Sequence, residues 1–112
     1  MNAKEHQQRA EHFKRRVHWW ARKLNVEPTQ VRVQKMTRKW ASCSTKGWVS
    51  FSEDLLFQSR EFQKYVIVHE LLHFHVPNHG KLWKSLMRTY VGYHKKIEPR
   101  NLSLNSKICP TP

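Results

Sequence analysis

The sequence predicts one small α+β domain that runs helix, small antiparallel sheet, helix, helix. Its 112 residues suit a single domain. Apolar residues recur at helical spacing near the N-terminus and again in the second half, and two short stretches between them alternate with a period of two. Five Trp, five Phe and three Tyr supply the bulk for a packed core.

The first element is predicted as an amphipathic helix from about Ala3 to Leu24. Its apolar positions form one stripe at spacings of three and four residues: Phe13, Val17, Trp20 and Leu24. Asn25 and Pro28 are expected to end it. The five tryptophans are expected in the core and at its rim.

The sheet is predicted from two stretches, Val31–Met36 and Trp48–Ser52, in which apolar and polar residues alternate. The residues from Ser42 to Gly47 are small, polar or glycine, which is typical of a turn. We therefore expect a small antiparallel sheet after the first helix.

The second helix is expected from Phe62 to Phe74, with Ser59 before it as a cap and Pro77 after it as a stop. It is apolar on nearly every side, which indicates a helix buried in the domain. A third helix is expected from about Lys81 to Lys95. Its inward-facing residues are predicted to be Leu82, Trp83, Leu86, Met87, Tyr90 and Val91.

The formal net charge is +13, and the basic excess lies in residues 1–40 and 71–112 rather than in the middle of the chain. No apolar run is long enough to span a bilayer or to form a secretory signal. The expected compartment is therefore the cytoplasm. Cys43 and Cys109 form no CxxC pair, which excludes a disulfide scaffold and a zinc ribbon. Residues 1–98 are predicted as the domain and 99–112 as a C-terminal tail.

Polar residues in a buried helix cost free energy unless they are paired or bind a ligand. In this helix they form the run His69-Glu70-Leu71-Leu72-His73. This is the HExxH motif of the zincins. Side chains four residues apart lie on one helical face, so His69 and His73 can both reach one zinc ion. Glu70 lies about 100° around the helix, beside the metal, where it can accept a proton from zinc-bound water.

A catalytic zinc site usually takes a third protein ligand. The candidates downstream are His75, His79, His94 and Glu98. His75 is expected to point away from the metal face, since it is two positions past His73. His79 follows Pro77, where the chain can turn back toward the site, and is the expected third ligand.

Three spaced motifs carry a family resemblance. They are Lys39-Trp40-Ala41-Ser42-Cys43-Ser44, then the segment from Tyr65 to His73, then Asn78-His79-Gly80-Lys81-Leu82-Trp83. In this respect the chain resembles the YgjP-like and SprT-like zinc metallopeptidases. The resemblance implies a minimal zincin-like domain, with His69, His73 and His79 as zinc ligands and Glu70 as the catalytic acid/base. Ala41 departs from the usual glycine, Ser52 from the usual Asn, and the zinc ribbon of bacterial SprT proteins is absent.

The leading functional prediction is a zinc metallopeptidase that acts on a peptide or protein substrate, with no membrane partner. One alternative is a basic nucleic-acid-binding module with a structural zinc, since the basic flanks could bind DNA or RNA. Another is a latent enzyme, with Cys109 of the tail folded onto the zinc, or a non-peptidase hydrolase. Trp40 and Cys43 are interpreted as core contacts rather than reactive groups.

Overall fold

The computed structural model describes residues 3–76 and 80–92 of the chain. Their order is helix, three strands, a short 3-10 helix and two further helices, which confirms the α+β fold class. The tail from 99 to 112 and His79 lie outside the described residues. The third helix ends at Val91, with Gly92 after it at a positive φ of 81°, and so stops before the expected end at Lys95. The elements are α1 (Ala3–Lys23), β1 (Gln30–Gln34), β2 (Ala41–Cys43), β3 (Trp48–Ser52), the 3-10 helix (Glu53–Phe57), α2 (Arg60–Leu72) and α3 (Lys81–Val91).

The sheet is small, as expected, but mixed rather than antiparallel. Its strand order is β1-β3-β2. β2 pairs antiparallel with β3, and β1 pairs parallel with it, with Val31 opposite Val49. Residues 35–40 carry the chain across to the far edge of β3. As a result β2, and not β1, forms the antiparallel hairpin with β3. Ser42 and Cys43, expected in a turn, are therefore strand residues.

α1 ends where the sequence predicts, and Asn25 ends it. Asn25 has a positive φ of 58°, a left-handed conformation that Asn tolerates better than most residues. Its N–H donates to the carbonyl of Arg22, and the N–H of Val26 donates to that of Ala21 at 2.8 Å. These two bonds form a Schellman motif, which directs the chain from α1 into the sheet.

The core lies between α1, the sheet and α2. The inward face of β3 presents Val49 and Phe51, both fully buried. The Phe51 ring meets Phe13 of α1 edge to face, with centroids 5.1 Å apart. On the α2 side, the fully buried Trp40 meets Phe62 edge to face at 5.2 Å, which confirms Trp40 as a core residue. α2 is thus enclosed by the sheet and the other helices.

One large apolar residue, Leu82, is more exposed than the sequence predicts, and Trp19 lies at the rim of the core. Leu82 of α3 is 62% exposed, because the inward stripe of that helix runs through Trp83 and Met87, four residues apart, and Leu82 lies about 100° from it. Trp19 of α1 is 50% exposed, while its neighbour Trp20 faces inward. None of the helices among the described residues is long and apolar enough to cross a membrane.

The cap of α2 gives a first prediction. Ser59 Oγ accepts a hydrogen bond from the Phe62 N–H at 3.1 Å. Ser59→Ala should lower the free energy of unfolding by about 1 kcal/mol, because that N–H loses its partner, and Ser59→Asp should restore it. Urea unfolding followed by circular dichroism measures the change. Ser85→Ala, an exposed serine inside α3, is the matched control and should be nearly neutral. An equal loss in both variants would contradict the capping role.

Candidate metal centre and active site

The motif residues lie in the last turn of α2, at the centre of the domain. His69 is 3% exposed and Glu70 is fully buried. His73 is half-buried and is the C-cap residue of α2. Burying a carboxyl and two imidazoles is costly unless they are paired or bind a metal, so their burial together indicates a site rather than chance surface histidines.

The two imidazoles lie side by side, as the spacing of four residues predicts. The ring centroids of His69 and His73 are 5.0 Å apart, with ring planes at 71°. Trp83 of α3 contacts both rings, edge to face with His69 at 4.9 Å and stacked with His73 at 6.1 Å. Tyr65 contacts His69 from the preceding turn, at 5.8 Å. These aromatic neighbours restrict the orientations of both imidazoles.

A backbone carbonyl orients the second histidine. The Nδ1 of His73 lies 3.3 Å from the carbonyl oxygen of Val76. A carbonyl only accepts, so Nδ1 is assigned the proton and donates it, and the lone pair of the neutral ring is then on Nε2. A histidine that ligates a metal commonly makes this kind of contact through its other nitrogen.

His75 points elsewhere, as the sequence predicts. Its Nε2 lies 2.8 Å from the carbonyl oxygen of Leu24, at the end of α1. The other three candidates for the third ligand, His79, His94 and Glu98, lie outside the described residues. The choice of His79 therefore stays a prediction.

The donor chemistry of the pair fits zinc. Neutral imidazoles one helical turn apart are the first two ligands of a tetrahedral zinc site of the HExxH type. Within residues 3–76 and 80–92, no group of three His, Cys, Asp or Glu side chains is arranged to hold a metal ion. The remaining candidates for the third ligand lie beyond these ranges.

Cys43 joins the site from the sheet, which sequence reasoning missed. It lies at the end of β2, half-buried, and makes no disulfide. Burial raises the pKa of its thiol to about 11, and the nearby Glu70 carboxylate adds to the increase by its charge and by hydrogen bonding, while Lys39 opposes it. The group is therefore a neutral thiol beside the carboxylate and not a nucleophile, which agrees with the interpretation from sequence.

A comparison with family models matches residues 2–105 to the YgjP-like metallopeptidase domain. The chain belongs to this family. The fold resembles the crystal structure of the metallopeptidase zymogen of Methanocaldococcus jannaschii jannalysin. The TM-score is 0.64 and the sequence identity 30%, over 70% of this chain and 80% of the other. A search of curated protein sequences gave no match.

The thiol pKa of this YgjP-like domain gives a second prediction. In metal-free protein carrying Cys109→Ser, alkylation of Cys43 should be slow below pH 9 and rise toward a midpoint at about pH 11. Glu70→Gln should move that midpoint down, because the carboxylate charge that disfavours the thiolate is gone. Mass spectrometry of iodoacetamide-treated samples across pH measures it.

The matched control for this experiment is Glu61→Gln, which removes an exposed carboxylate at the other end of α2. It should leave the midpoint of Cys43 unchanged. A midpoint that stays near 11 in Glu70→Gln would show that the two side chains do not interact in solution.

Proposed function

We propose that this YgjP-like domain is a zinc-dependent peptidase of the HExxH type, with His69, His73 and His79 as metal ligands and Glu70 as the acid/base. The observation that carries the proposal is the adjacent, largely buried imidazole pair with a fully buried carboxyl next to it on the same helix. Membership of a metallopeptidase family supports peptide hydrolysis as the reaction.

Zinc, when bound, supplies a Lewis acid that polarises the scissile carbonyl and acidifies water. The chain supplies the proton transfers. Glu70, held on the turn of α2 that separates the two histidines, accepts the proton of the attacking water and then delivers it to the leaving amine. Because the side chain is fully buried, its carboxyl is shielded from bulk water and from competing proton exchange.

The aromatic neighbours position the ligands. Trp83 and Tyr65 contact the His69 ring from two sides, and Trp83 also stacks on His73. Together with the Val76 carbonyl, they hold the imidazoles close to one orientation before metal binds, which reduces the entropy lost on coordination.

An extended peptide is the substrate geometry that the sheet favours. β2 is an edge strand of the sheet in the described part of the chain. Cys43, its last residue, lies beside Glu70. A peptide that pairs its backbone with β2 would therefore run past the acid/base, as in strand addition to a sheet edge.

Latency is the second candidate, and one observation favours it: the solved structure that the chain resembles is described as a metallopeptidase zymogen. The tail from 99 to 112 carries Cys109, whose thiolate could ligate zinc and block the site. Activity assays therefore need a Cys109→Ser chain beside the native one, so that a latent enzyme is not mistaken for an inactive one.

The metal ligands give a third prediction. Purified protein should hold about one zinc per chain. His69→Ala or His73→Ala should lose it, because each removes one of the three proposed protein ligands. His79→Ala should weaken binding, whereas His75→Ala is the matched control and should keep the metal, since its ring contacts the Leu24 carbonyl. Metal analysis by mass spectrometry, with circular dichroism to check the fold, measures this. Loss of zinc in His75→Ala but not in His79→Ala would overturn the ligand assignment.

The acid/base role gives a fourth prediction. Glu70→Gln keeps the shape of the side chain but cannot take up a proton, so it should keep zinc and lose peptide hydrolysis by at least about a hundredfold. Cleavage of unstructured protein substrates, followed by mass spectrometry of the products, measures it. Glu61→Gln is the control. An unchanged rate in Glu70→Gln would exclude the proposed mechanism.

A further inference from the structure

A groove lies on the surface between α1 and α2, near the N-terminal end of α2 and outside the metal centre. Its volume is about 410 Å³, within the range of small-ligand sites. The described residues that line it are Arg16, Trp19, Trp20, Arg60, Glu61 and Lys64. Nothing in the proposed peptidase function uses them.

Two indole rings form the apolar part of the groove. Trp20 is buried, and Trp19 is 50% exposed. Their centroids are 5.0 Å apart and their planes nearly perpendicular, at 88°. Tyr90 of α3 contacts Trp20 in turn, at 6.5 Å. Trp19 therefore presents a large, half-exposed aromatic surface that packs against a buried neighbour.

Cations surround these rings. The Lys23 ammonium lies over Trp19 at 5.0 Å and over Trp20 at 5.6 Å, and the Lys64 ammonium lies 5.6 Å from the Trp20 ring. The described lining residues include three cations, Arg16, Arg60 and Lys64, and one carboxylate. The groove is thus positively charged as well as aromatic.

Two of the cations are held close together. Arg16 donates hydrogen bonds to the side-chain oxygen of Gln63 and to the backbone carbonyl of Arg60. Partial burial lowers the pKa of Arg16, and the charge of Arg60 lowers it further. Like charges brought together at a half-buried position repel each other, and a bound anion would relieve that repulsion.

We propose that this groove binds single-stranded nucleic acid, with a base stacked on Trp19 and the flanking phosphates held by Arg60, Lys64 and Lys23. Exposed aromatic faces interleaved with cations are the means by which proteins bind single strands without sequence preference. An acidic peptide would use the cations but would gain little from the indole face. The net charge of +13 favours a polyanion in the same way.

The test is a fluorescence-anisotropy titration of a labelled 15-nucleotide oligothymidine with the full chain, at 50 and at 200 mM salt. Binding should weaken steeply at the higher salt, because counterions are released from the phosphates. Trp19→Ala should weaken binding by about five- to 150-fold, which corresponds to the loss of one base stack, and Trp19→Phe should recover part of it. Because Trp19 is half-exposed, its replacement should leave the fold intact, and circular dichroism checks this.

The charge arm compares two variants that each remove one cation. Lys64→Ala should weaken binding and reduce the salt slope by about one. Lys46→Ala, which removes an exposed cation in the turn between β2 and β3, outside the groove lining, is the matched control and should change affinity less than twofold. An abasic oligomer of the same length should bind more weakly than oligothymidine and should be insensitive to Trp19→Ala.

Three results would overturn the proposal. One is no binding at 50 mM salt, and another is equal effects of Lys64→Ala and Lys46→Ala together with no effect of Trp19→Ala. The third is poly-glutamate binding as tightly as oligothymidine and with the same dependence on Trp19, which would assign the groove to acidic protein segments. Binding should persist in EDTA, so the outcome is independent of the metal centre and of the peptidase proposal.

Discussion

The burial of Glu70 beside two imidazoles is the constraint on which the rest of the structure depends. A carboxyl removed from water costs several kcal/mol unless neighbouring groups compensate it. The elements that enclose α2 must therefore supply side chains that contact these polar residues and offset the cost. β2 brings the Cys43 thiol and α3 brings the Trp83 indole, so that these two elements contribute to the site as well as to the core.

The features that could be predicted from the sequence are those determined by contacts between residues close together in the chain. The extent of α1, the cap at Ser59 and the approach of His69 to His73 all depend on contacts within about one helical turn. The outward direction of His75 belongs to the same class, since it is set by its offset from His73. Local geometry is nearly fixed once the helix is correctly located, which its apolar composition made possible.

The features that the sequence did not give depend on packing between distant segments. Two short alternating stretches predict strands but not their partners, so the parallel pairing of Val31 with Val49 could not be derived. The approach of Cys43 to Glu70 joins positions far apart in the chain and has no periodic signal. The exposure of Trp19 was left open for another reason: the tryptophans were predicted in the core and at its rim without saying which lies where, and a helix can turn only one of two adjacent indoles inward.

The contact between His75 and Leu24 has a consequence for how the molecule opens. It ties the turn after α2 to the last carbonyl groups of α1, just before the Schellman motif at Asn25. The same turn carries Val76, whose carbonyl orients His73. Fraying at the end of α1 would therefore loosen the support of the His73 ring, and we expect the amide hydrogens of these two helix ends to exchange with solvent in a single cooperative opening. The end of the N-terminal helix in this way supports the turn that carries the HExxH histidines.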